Sequence, residues 1–284
     1  MIQISVIIPA YRARNFISSA LDSVLRQTLR EWELIIVDDA SPESIEDIVE
    51  TFAGSAPQRP VRLIKHETNL GLGGARNSGI TAANGVHIAF LDHDDIWLPN
   101  HLELVLNKLS TSGADVAFST VEMFDSESGK VLGPWAPTQA EVDDFRGALF
   151  RRCFIAPSAV VMRKEAIVQA GLFDTSPPMH YVEDFDLWLR MLEMGFEFTH
   201  LPKTTCRYRK HSMSATQQLG LMEMGLAEVR YRHMREPGLP EAETRRVVVG
   251  AYGYATKMLW KSKRRKSAFH ALLKGGAVQL RIRK

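Results

Sequence analysis

The chain has little cysteine, no long apolar run and almost no net charge, and the first two shortages exclude whole classes of protein. Cys153 and Cys206 are the only cysteines among its 284 residues. They lie far apart and outside any CxxC or Cys/His spacing, so neither a disulfide framework nor a zinc site is indicated. A reducing, cytosolic compartment fits this usage. No window holds 18 consecutive apolar residues, which argues against a membrane-spanning helix, and the apolar run at residues 4–9 is too short for a signal-peptide core. The net charge of +2 excludes little.

Short β-branched runs alternate with helical patterns through the first third of the chain. With 45% hydrophobic and 24% charged residues, the composition is that of a globular protein that holds one α/β domain with or without an appendage. The alternation predicts right-handed βαβ units and a mainly parallel sheet. The predicted strands in this part of the chain are residues 4–9, 33–39, 61–65 and 86–91.

Three connections between these elements carry their own predictions. Ser41 and Pro42 suit the N-cap and first turn of the second helix. Residues 69–79 are expected to form a glycine-rich loop that runs into a helix, and residues 121–150 a variable loop over the edge of the sheet.

The fourth strand ends in the acidic sequence Asp92-His93-Asp94-Asp95. Like charges this close repel, so the arrangement is most stable where a cation lies between them. Asp92 and Asp94 are two residues apart, and on extended backbone their side chains point to the same side and can share a hard divalent metal. The alternative is a polar turn before a helix that begins near Pro99.

Other polar groups are predicted to meet these acids at the same edge of the sheet. Tyr11 follows the first strand and Asp39 ends the second, and open parallel sheets bind ligands at the carboxyl ends of their strands. Gly71 and its neighbouring glycines allow backbone to pass close to a ligand, and Arg76 lies just inside the next helix, where anions are favoured. An exposed glycine-rich turn is the alternative for that segment.

Two further candidates lie later in the chain. Glu183 and Asp184 occupy the first turn of a predicted helix, where acids also serve only to stabilise the helix dipole. His211 follows a predicted strand beside basic residues, and is either a ligand or an exposed histidine.

The last part of the chain differs in character. Helical spacing resumes at residue 215, and residues 257–284 carry ten Lys and Arg residues, interleaved aromatic and leucine residues, and no acid. This basic, amphipathic tail favours contact with an anionic membrane surface over a solvated face or a nucleic-acid contact. No nucleic-acid-binding module is recognised upstream.

Seven stretches together resemble glycosyltransferase family 2. They occur in the family's order across about residues 3–214: SVIIPAY, ISSALDSVLRQT, ELIIVDDAS, NLGLGGARNSGI, FLDHDD, EDFDLWLR and YRKHSMS. The resemblance implies an inverting, nucleotide-sugar-dependent enzyme with the GT-A fold, an α/β architecture in which a Rossmann-like, mainly parallel sheet is flanked by helices. It divides the chain into a catalytic domain (1–214, with a nucleotide-sugar half to about 110 and an acceptor half beyond) and a helical basic extension (215–284).

Carried over to matching positions, the resemblance implies a catalytic base and a donor site. Asp184 matches the base. Pro9 and Tyr11 would flank the nucleotide base, Asp39 would hydrogen-bond a uracil-type edge, and Gly71 would lie beside the donor.

The same resemblance implies a metal site for Mn²⁺ or Mg²⁺. Asp94 would ligate the ion, Asp92 would approach the ribose or the metal, and His211 would complete the set. Arg76 and Arg209 would neutralise the diphosphate. His93 departs from the family pattern, which has a small polar residue there. Its ring is expected to point away, or else to tune the choice of metal.

The predicted function is transfer of a sugar from a nucleotide-diphosphate donor, with UDP favoured, to a glycan or lipid-linked acceptor in cell-surface polysaccharide synthesis. The predicted location is the cytoplasm, with peripheral contact at the cytoplasmic face of the membrane. A related nucleotidyltransferase is one alternative, although the first strand-to-helix loop, AYRARNF, lacks the glycine-rich basic signature expected of it. A catalytically silent glycan-binding scaffold is another, and it would predict loss of Asp94 or Asp184.

Overall fold

The structure, a computed structural model, describes residues 2–211, 219–235 and 239–280. Its strands are β1 (Ile4–Ala10), β2 (Trp32–Asp38), β3 (Val61–Lys65), β4 (His87–Phe90), β5 (Ile96–Trp97), β6 (Val116–Asp125), β7 (Val131–Trp135), β8 (Val160–Arg163) and β9 (Phe198–Lys210). Its helices are α1 (Ile17–Leu25), α2 (Glu46–Ser55), α3 (Gly71–Ala82), α4 (His101–Ser112), α5 (Gln139–Asp143), α6 (Phe145–Arg151), α7 (Lys164–Gln169), α8 (Glu183–Glu193), α9 (Leu219–Arg232), α10 (Glu241–Lys261) and α11 (Arg265–Leu280).

One sheet organises the fold, in the strand order β3-β2-β1-β4-β8-β6-β9-β5, with β7 paired to β6. β3, β2, β1 and β4 run parallel to one another, and β6 runs parallel to β9. β8 runs antiparallel to both β4 and β6. The N-terminal half is the predicted Rossmann-like arrangement, and it brings the carboxyl ends of β1, β2 and β4 to one edge.

The strand β1 is buried on both faces, as its mainly apolar, β-branched sequence predicts. Ile4, Val6 and Ile8 pack in one apolar cluster with residues of α1, α2 and α4. Ile7 points to the opposite face and packs in a second cluster with residues of α3 and α8. The two helices that carry candidate site residues therefore lie on the same face of the sheet.

The helical extension packs on that second face. Ala227 of α9, Val248 and Tyr252 of α10 and Ala268 of α11 belong to the apolar cluster that also contains Phe185 of α8. The predicted boundary at residues 214 and 215 lies outside the described residues. No helix in the described part of the chain is both long and apolar enough to cross a bilayer.

A buried ionic cluster joins α9 to α8 as well. Asp186, fully buried, accepts hydrogen bonds from Arg190 (3.0 Å), Arg232 (2.8 Å) and His233 Nε2 (3.1 Å). The other ring nitrogen of His233 lies 2.6 Å from Glu193. An imidazole with a carboxylate on each nitrogen is protonated on both, so His233 carries a positive charge between two acids.

The predicted start of the second helix is wrong. α2 begins at Glu46 rather than after Ser41. The Ser41 hydroxyl instead accepts a hydrogen bond from the backbone N–H of Arg12 (3.1 Å), and the backbone N–H of Ser41 donates to the Asp38 carboxylate (3.1 Å). Ser41 thus ties together the loops that follow β1 and β2.

The glycine-rich segment is helical for most of its length, because α3 already begins at Gly71. Gly71 has φ of +78°, a conformation that disfavours any other residue. A Cβ on Gly79 would lie 2.4 Å from Cγ2 of Ile7. Glycine at position 79 therefore serves the close packing of α3 on β1, and approach of the Gly71 backbone to a ligand stays a prediction.

The variable loop predicted for residues 121–150 is also wrong. β6 continues to Asp125 and forms a hairpin with β7, and α5 and α6 follow. The glycines and prolines that suggested a loop lie in and beside β7, where Gly133 has φ of +122° and the register shifts between Met123 and Phe124.

Candidate active site

The carboxyl edge of the sheet gathers the candidates that follow β1, β2 and β4. The Asp39 N–H donates to the carbonyl of Ala10 (2.8 Å), which binds the two loops to each other. Tyr11 is 40% exposed at this edge. The carbonyl of Pro9 accepts from Nδ1 of His93 (3.2 Å), so the His93 ring lies along this edge. The electrostatic interaction of this ring with Asp94 helps to lower the pKa of that carboxyl, and the direction of the ring relative to a bound metal stays a prediction.

Asp39 is almost fully buried and holds the start of α3. Its two carboxylate oxygens accept from the backbone N–H groups of Leu70 and Gly71, each at 2.8 Å. His66 Nδ1 lies 2.7 Å from the same carboxylate. Two of the four free amides of the α3 N-terminus are thereby satisfied. Asp39 positions this helix end beside the carboxyl edge of the sheet, and contact of Asp39 with a nucleotide base stays a prediction.

Arg76 connects two groups of acids. Its guanidinium is 2% exposed and donates to Asp92 (2.7 Å) and to Glu183 (2.7 Å), which lies 107 residues later. Burial lowers the pKa of Arg76, but the charges of Asp92, Glu183 and Asp184 outweigh burial and raise it above its usual value. Arg76 is therefore a permanently charged link between the end of β4 and the start of α8, with both terminal nitrogens occupied by protein.

Asp184 lies in the first turn of α8, beside this link. Burial and the negative charge of Glu183 raise its pKa from 3.8 to about 7, and the Arg76 charge opposes that rise. Part of the side chain remains exposed, so a substrate can reach it. A carboxylate with a pKa near neutrality accepts a proton far more readily than an ordinary aspartate does.

Asp94 has the opposite electrostatic environment. Its carboxylate lies 2.9 Å from Nε2 of His211, at the end of β9. Although burial raises the pKa of Asp94, the hydrogen bond and charge of His211, together with His93, lower it below its usual value. Asp94 is therefore ionised at neutral pH while Asp184 is only partly so.

Arg209 and Asp95 complete the loop around Asp94. Nε of Arg209 donates to the Asp94 carbonyl (2.7 Å), and its guanidinium lies over the rings of Phe16 and Phe124. Asp95 is 1% exposed and accepts from the backbone N–H of Arg209 (3.0 Å). Burial and the charges of Asp94 and Asp92 raise the pKa of Asp95 well above its usual value.

The structure assembles part of the predicted metal set. Asp94 and His211 are in contact, whereas Asp92 is held by Arg76, and no group of three or more Asp, Glu, His or Cys side chains within the described residues is arranged to hold an ion. Mg²⁺ and Mn²⁺ are often held by one or two protein ligands, with phosphate oxygens and water in the remaining positions. The Asp94–His211 pair fits an ion that shares its coordination with a bound diphosphate.

The sequence pattern missed two residues of this site. His66 bonds Asp39 through one nitrogen and Ser78 through the other (2.9 Å), and it follows β3 at the same edge as the other candidates. The rule applied to β1, β2 and β4 would have found it. The Ser158 hydroxyl accepts from the Asp92 N–H (3.0 Å), a contact between distant segments for which no local signal exists.

Sequence comparison identifies relatives of the chain. A family profile described as glycosyl transferase family 2 matches residues 5–168, and one described as glycosyl transferase family group 2 matches residues 87–262. The chain is 32% identical over 192 residues to the UDP-Glc:alpha-D-GlcNAc-diphosphoundecaprenol beta-1,3-glucosyltransferase WfgD of Escherichia coli, an alignment that covers 67% of this chain and 70% of the relative. It is 29% identical over 208 residues to the putative teichuronic acid biosynthesis glycosyltransferase TuaG of Bacillus subtilis, covering 72% and 78%.

Solved structures share the fold. The crystal structure of S. aureus TarS 1-349 in complex with UDP-GlcNAc superposes with a TM-score of 0.71 at 17% identity, covering 96% of this chain and 79% of that one. The mannosyltransferase PcManGT from Pyrobaculum calidifontis in complex with GDP-Man and Mn²⁺ gives a TM-score of 0.67 at 18% identity, covering 98% and 80%. The fold is therefore that of the GT-A glycosyltransferases, as predicted. The chain belongs to glycosyltransferase family 2.

Proposed function

We propose that this glycosyltransferase transfers a sugar from a UDP-sugar to a lipid-linked acceptor, with inversion at the anomeric carbon, in the synthesis of a cell-surface polysaccharide. One observation carries the proposal. Two carboxylates at the same edge of the sheet have pKa values displaced in opposite directions, that of Asp184 up to about 7 and that of Asp94 down. Such a divergence separates the role of a base from that of an ionised ligand.

Asp184 is the group suited to activate the acceptor. It accepts the proton of the acceptor hydroxyl as the oxygen of that hydroxyl forms a bond to the anomeric carbon. The bond between this carbon and the diphosphate oxygen breaks on the opposite face, so a single displacement inverts the configuration. Arg76 and Glu183 hold the start of α8 in register with the end of β4, which fixes the base relative to the donor edge.

The departing diphosphate leaves toward Asp94, His211 and Arg209. These residues surround the end of β4, where Arg209 supplies a fixed positive charge for phosphate oxygens. A bound Mn²⁺ or Mg²⁺ held by Asp94 and His211 would stabilise the developing negative charge. Because both terminal nitrogens of Arg76 are engaged by acids, we assign Arg76 to positioning rather than to the phosphates.

Relatives support the choice of donor and acceptor. The WfgD name specifies UDP-Glc and a sugar diphosphoundecaprenol, and the superposed TarS structure contains UDP-GlcNAc. The superposed PcManGT structure contains GDP-Man, so the GT-A fold accommodates more than one nucleotide. A lipid-linked acceptor requires the enzyme to work at a membrane surface, and we propose peripheral contact at the cytoplasmic face.

The test is turnover with a panel of nucleotide sugars and an undecaprenyl-diphosphate-linked GlcNAc acceptor, followed by release of the nucleotide diphosphate. Asp184→Asn is expected to lower kcat by about 10²-fold or more, since it removes the base, while the affinity for UDP stays within about twofold of wild type. Asp22→Asn, on the exposed side of α1, is the matched control. NMR of the product reports the anomeric configuration.

Full activity of Asp184→Asn would overturn the assignment of the base. Retention of the donor's anomeric configuration would overturn single displacement. Nucleotide-sugar binding with no transfer to any acceptor would favour the silent-scaffold alternative.

A further inference from the structure

The last helix of the described chain places its small residues inward and its large apolar residues outward. The buried positions of α11 are Ala268, Ala271, Gly275 and Val278. Phe269, Leu272, Leu273 and Leu280 are 61%, 57%, 57% and 68% exposed, respectively. At 100° per residue, these four outward positions lie within a third of the helix circumference. They form one continuous apolar stripe, which we call the α11 outer face.

The packing of α11 on α10 explains why the inward residues are small. A Cβ on Gly275 would lie only 3.1 Å from Cβ of Tyr252, which is fully buried. The interface therefore has no room for leucine or phenylalanine. It does not explain why the opposite face carries large apolar residues instead of polar ones, since helix surfaces that face only water are normally polar. A grouped apolar surface of this kind indicates a contact.

Positive charge surrounds one end of the α11 outer face. The end of α10, the turn to α11 and the first turn of α11 carry Lys261, Lys263, Arg264, Arg265 and Lys266, and residues 257–280 contain no acid. Trp260, 62% exposed, lies beside this cluster with the Arg265 guanidinium 5.8 Å from its ring. An apolar stripe with a basic border and a tryptophan at the junction matches the interface of an anionic bilayer, where apolar groups enter and cations meet headgroups.

We propose that the α11 outer face, bordered by the basic turn at residues 261–266, docks this enzyme on an anionic lipid bilayer. The inference rests on the proposed function in one respect: docking would hold the active site at the membrane surface, where a lipid-linked acceptor lies. A second copy of the chain is a poorer occupant. A two-fold contact would oppose this segment to itself, and the segment offers no negative charge to a neighbouring basic turn.

Co-sedimentation of the full chain with vesicles tests the proposal. We expect binding to phosphatidylglycerol/phosphatidylcholine vesicles, weakened by salt, and at least about tenfold weaker partitioning to pure phosphatidylcholine. The double variant Leu272→Gln, Leu273→Gln should lower partitioning by about tenfold or more, because it removes two inserting side chains. Val131→Gln, Leu132→Gln is the matched control, since those residues are 50% and 45% exposed on β7, a strand that pairs with β6.

Equal vesicle binding by the Leu272/Leu273 variant and the wild type would overturn the proposal. The proposal would also be overturned if the wild type bound no vesicles and instead formed a dimer, measured by light scattering, that the variant did not form. Calorimetric binding of UDP is measured on the same proteins and does not depend on the α11 outer face. A wild type that binds UDP but not vesicles would therefore refute the docking proposal alone. A wild type that does not bind UDP would instead count against the proposed function.

Discussion

Replacing Glu183 with glutamine is expected to extend activity to lower pH. Asp184 has to be ionised to act as a base, and its pKa of about 7 limits the rate on the acid side. After burial, the Glu183 charge is the second cause of this raised pKa. Glu183→Gln removes that charge while the amide oxygen still accepts from Arg76, so the pKa of Asp184 should fall and the acid limb of the pH profile should move down.

The size of the shift follows from the causes of the raised pKa. The pKa of Asp184 rises by about 3 from 3.8, and burial, which the variant leaves unchanged, is the larger cause. Removal of the neighbouring charge should therefore lower the pKa by about one unit. At pH 6, an aspartate with a pKa of about 7 is ~10% ionised, and one with a pKa of about 6 is ~50% ionised. Relative to its own plateau at high pH, the variant should be about fivefold more active at pH 6.

The assay is kcat/KM for the acceptor from pH 5 to pH 9 at saturating donor, with Glu50→Gln on the exposed side of α2 as the control. Each profile is compared with its own plateau, because a weaker base also lowers the maximal rate. An acid limb that stays in place or moves to higher pH in Glu183→Gln would refute the electrostatic account of Asp184.

Two further variants test the energetics of α8. Asp184→Asn should raise the free energy of unfolding above about pH 7 by at most ~4 kcal/mol, because ionising a carboxylate whose pKa is raised destabilises the fold. The partial exposure of the Asp184 side chain makes the expected gain smaller than this limit. The gain should shrink to less than about 1 kcal/mol at pH 4, where the group is protonated in the folded state and only about half ionised in the unfolded state. Urea unfolding at pH 4 and pH 8 measures the difference, and equal stability of the variant and the wild type at pH 8 would contradict the raised pKa. His233→Ala should lower the free energy of unfolding by about 2 to 3 kcal/mol at pH 6, since it removes a buried charge held by Asp186 and Glu193. Burial lowers the pKa of His233, but these acids outweigh burial and raise it, so the wild type keeps this stabilisation below about pH 6.5 and loses it as pH rises through the raised pKa. A destabilisation by His233→Ala that increases with pH would contradict this account.

Much of the nucleotide half could be predicted because its signals are local. Unbroken apolar runs specify strands buried on both faces, and the carboxyl ends of parallel strands share one edge by geometry. These two rules are enough to place Tyr11, Asp39 and Asp92 at a common edge. The same reasoning failed for Ser41 and Pro42, whose local preference for a helix start was overridden when Ser41 bonded the loops after β1 and β2.

The role of Arg76 could not be predicted from the sequence. An arginine near a helix N-terminus suggests an anion ligand, but its actual partner Glu183 lies 107 residues away and reaches it only through the packing of α3 and α8 on one face. The hairpin of β6 and β7 was missed for a related reason. Considered locally, the glycines and prolines of this segment predict a loop. Pairing with the long strand β6 nevertheless supplies the hydrogen bonds that make β7 a strand.

Calorimetric titration with UDP, GDP, dTDP and CDP, each with and without Mn²⁺, tests the central claim most directly. The account predicts that UDP binds preferentially, that Mn²⁺ strengthens this binding, and that Asp94→Ala removes the effect of Mn²⁺ while Asp184→Asn preserves it. Binding of UDP that ignores both Mn²⁺ and the Asp94→Ala substitution would contradict the diphosphate site built around Asp94 and His211.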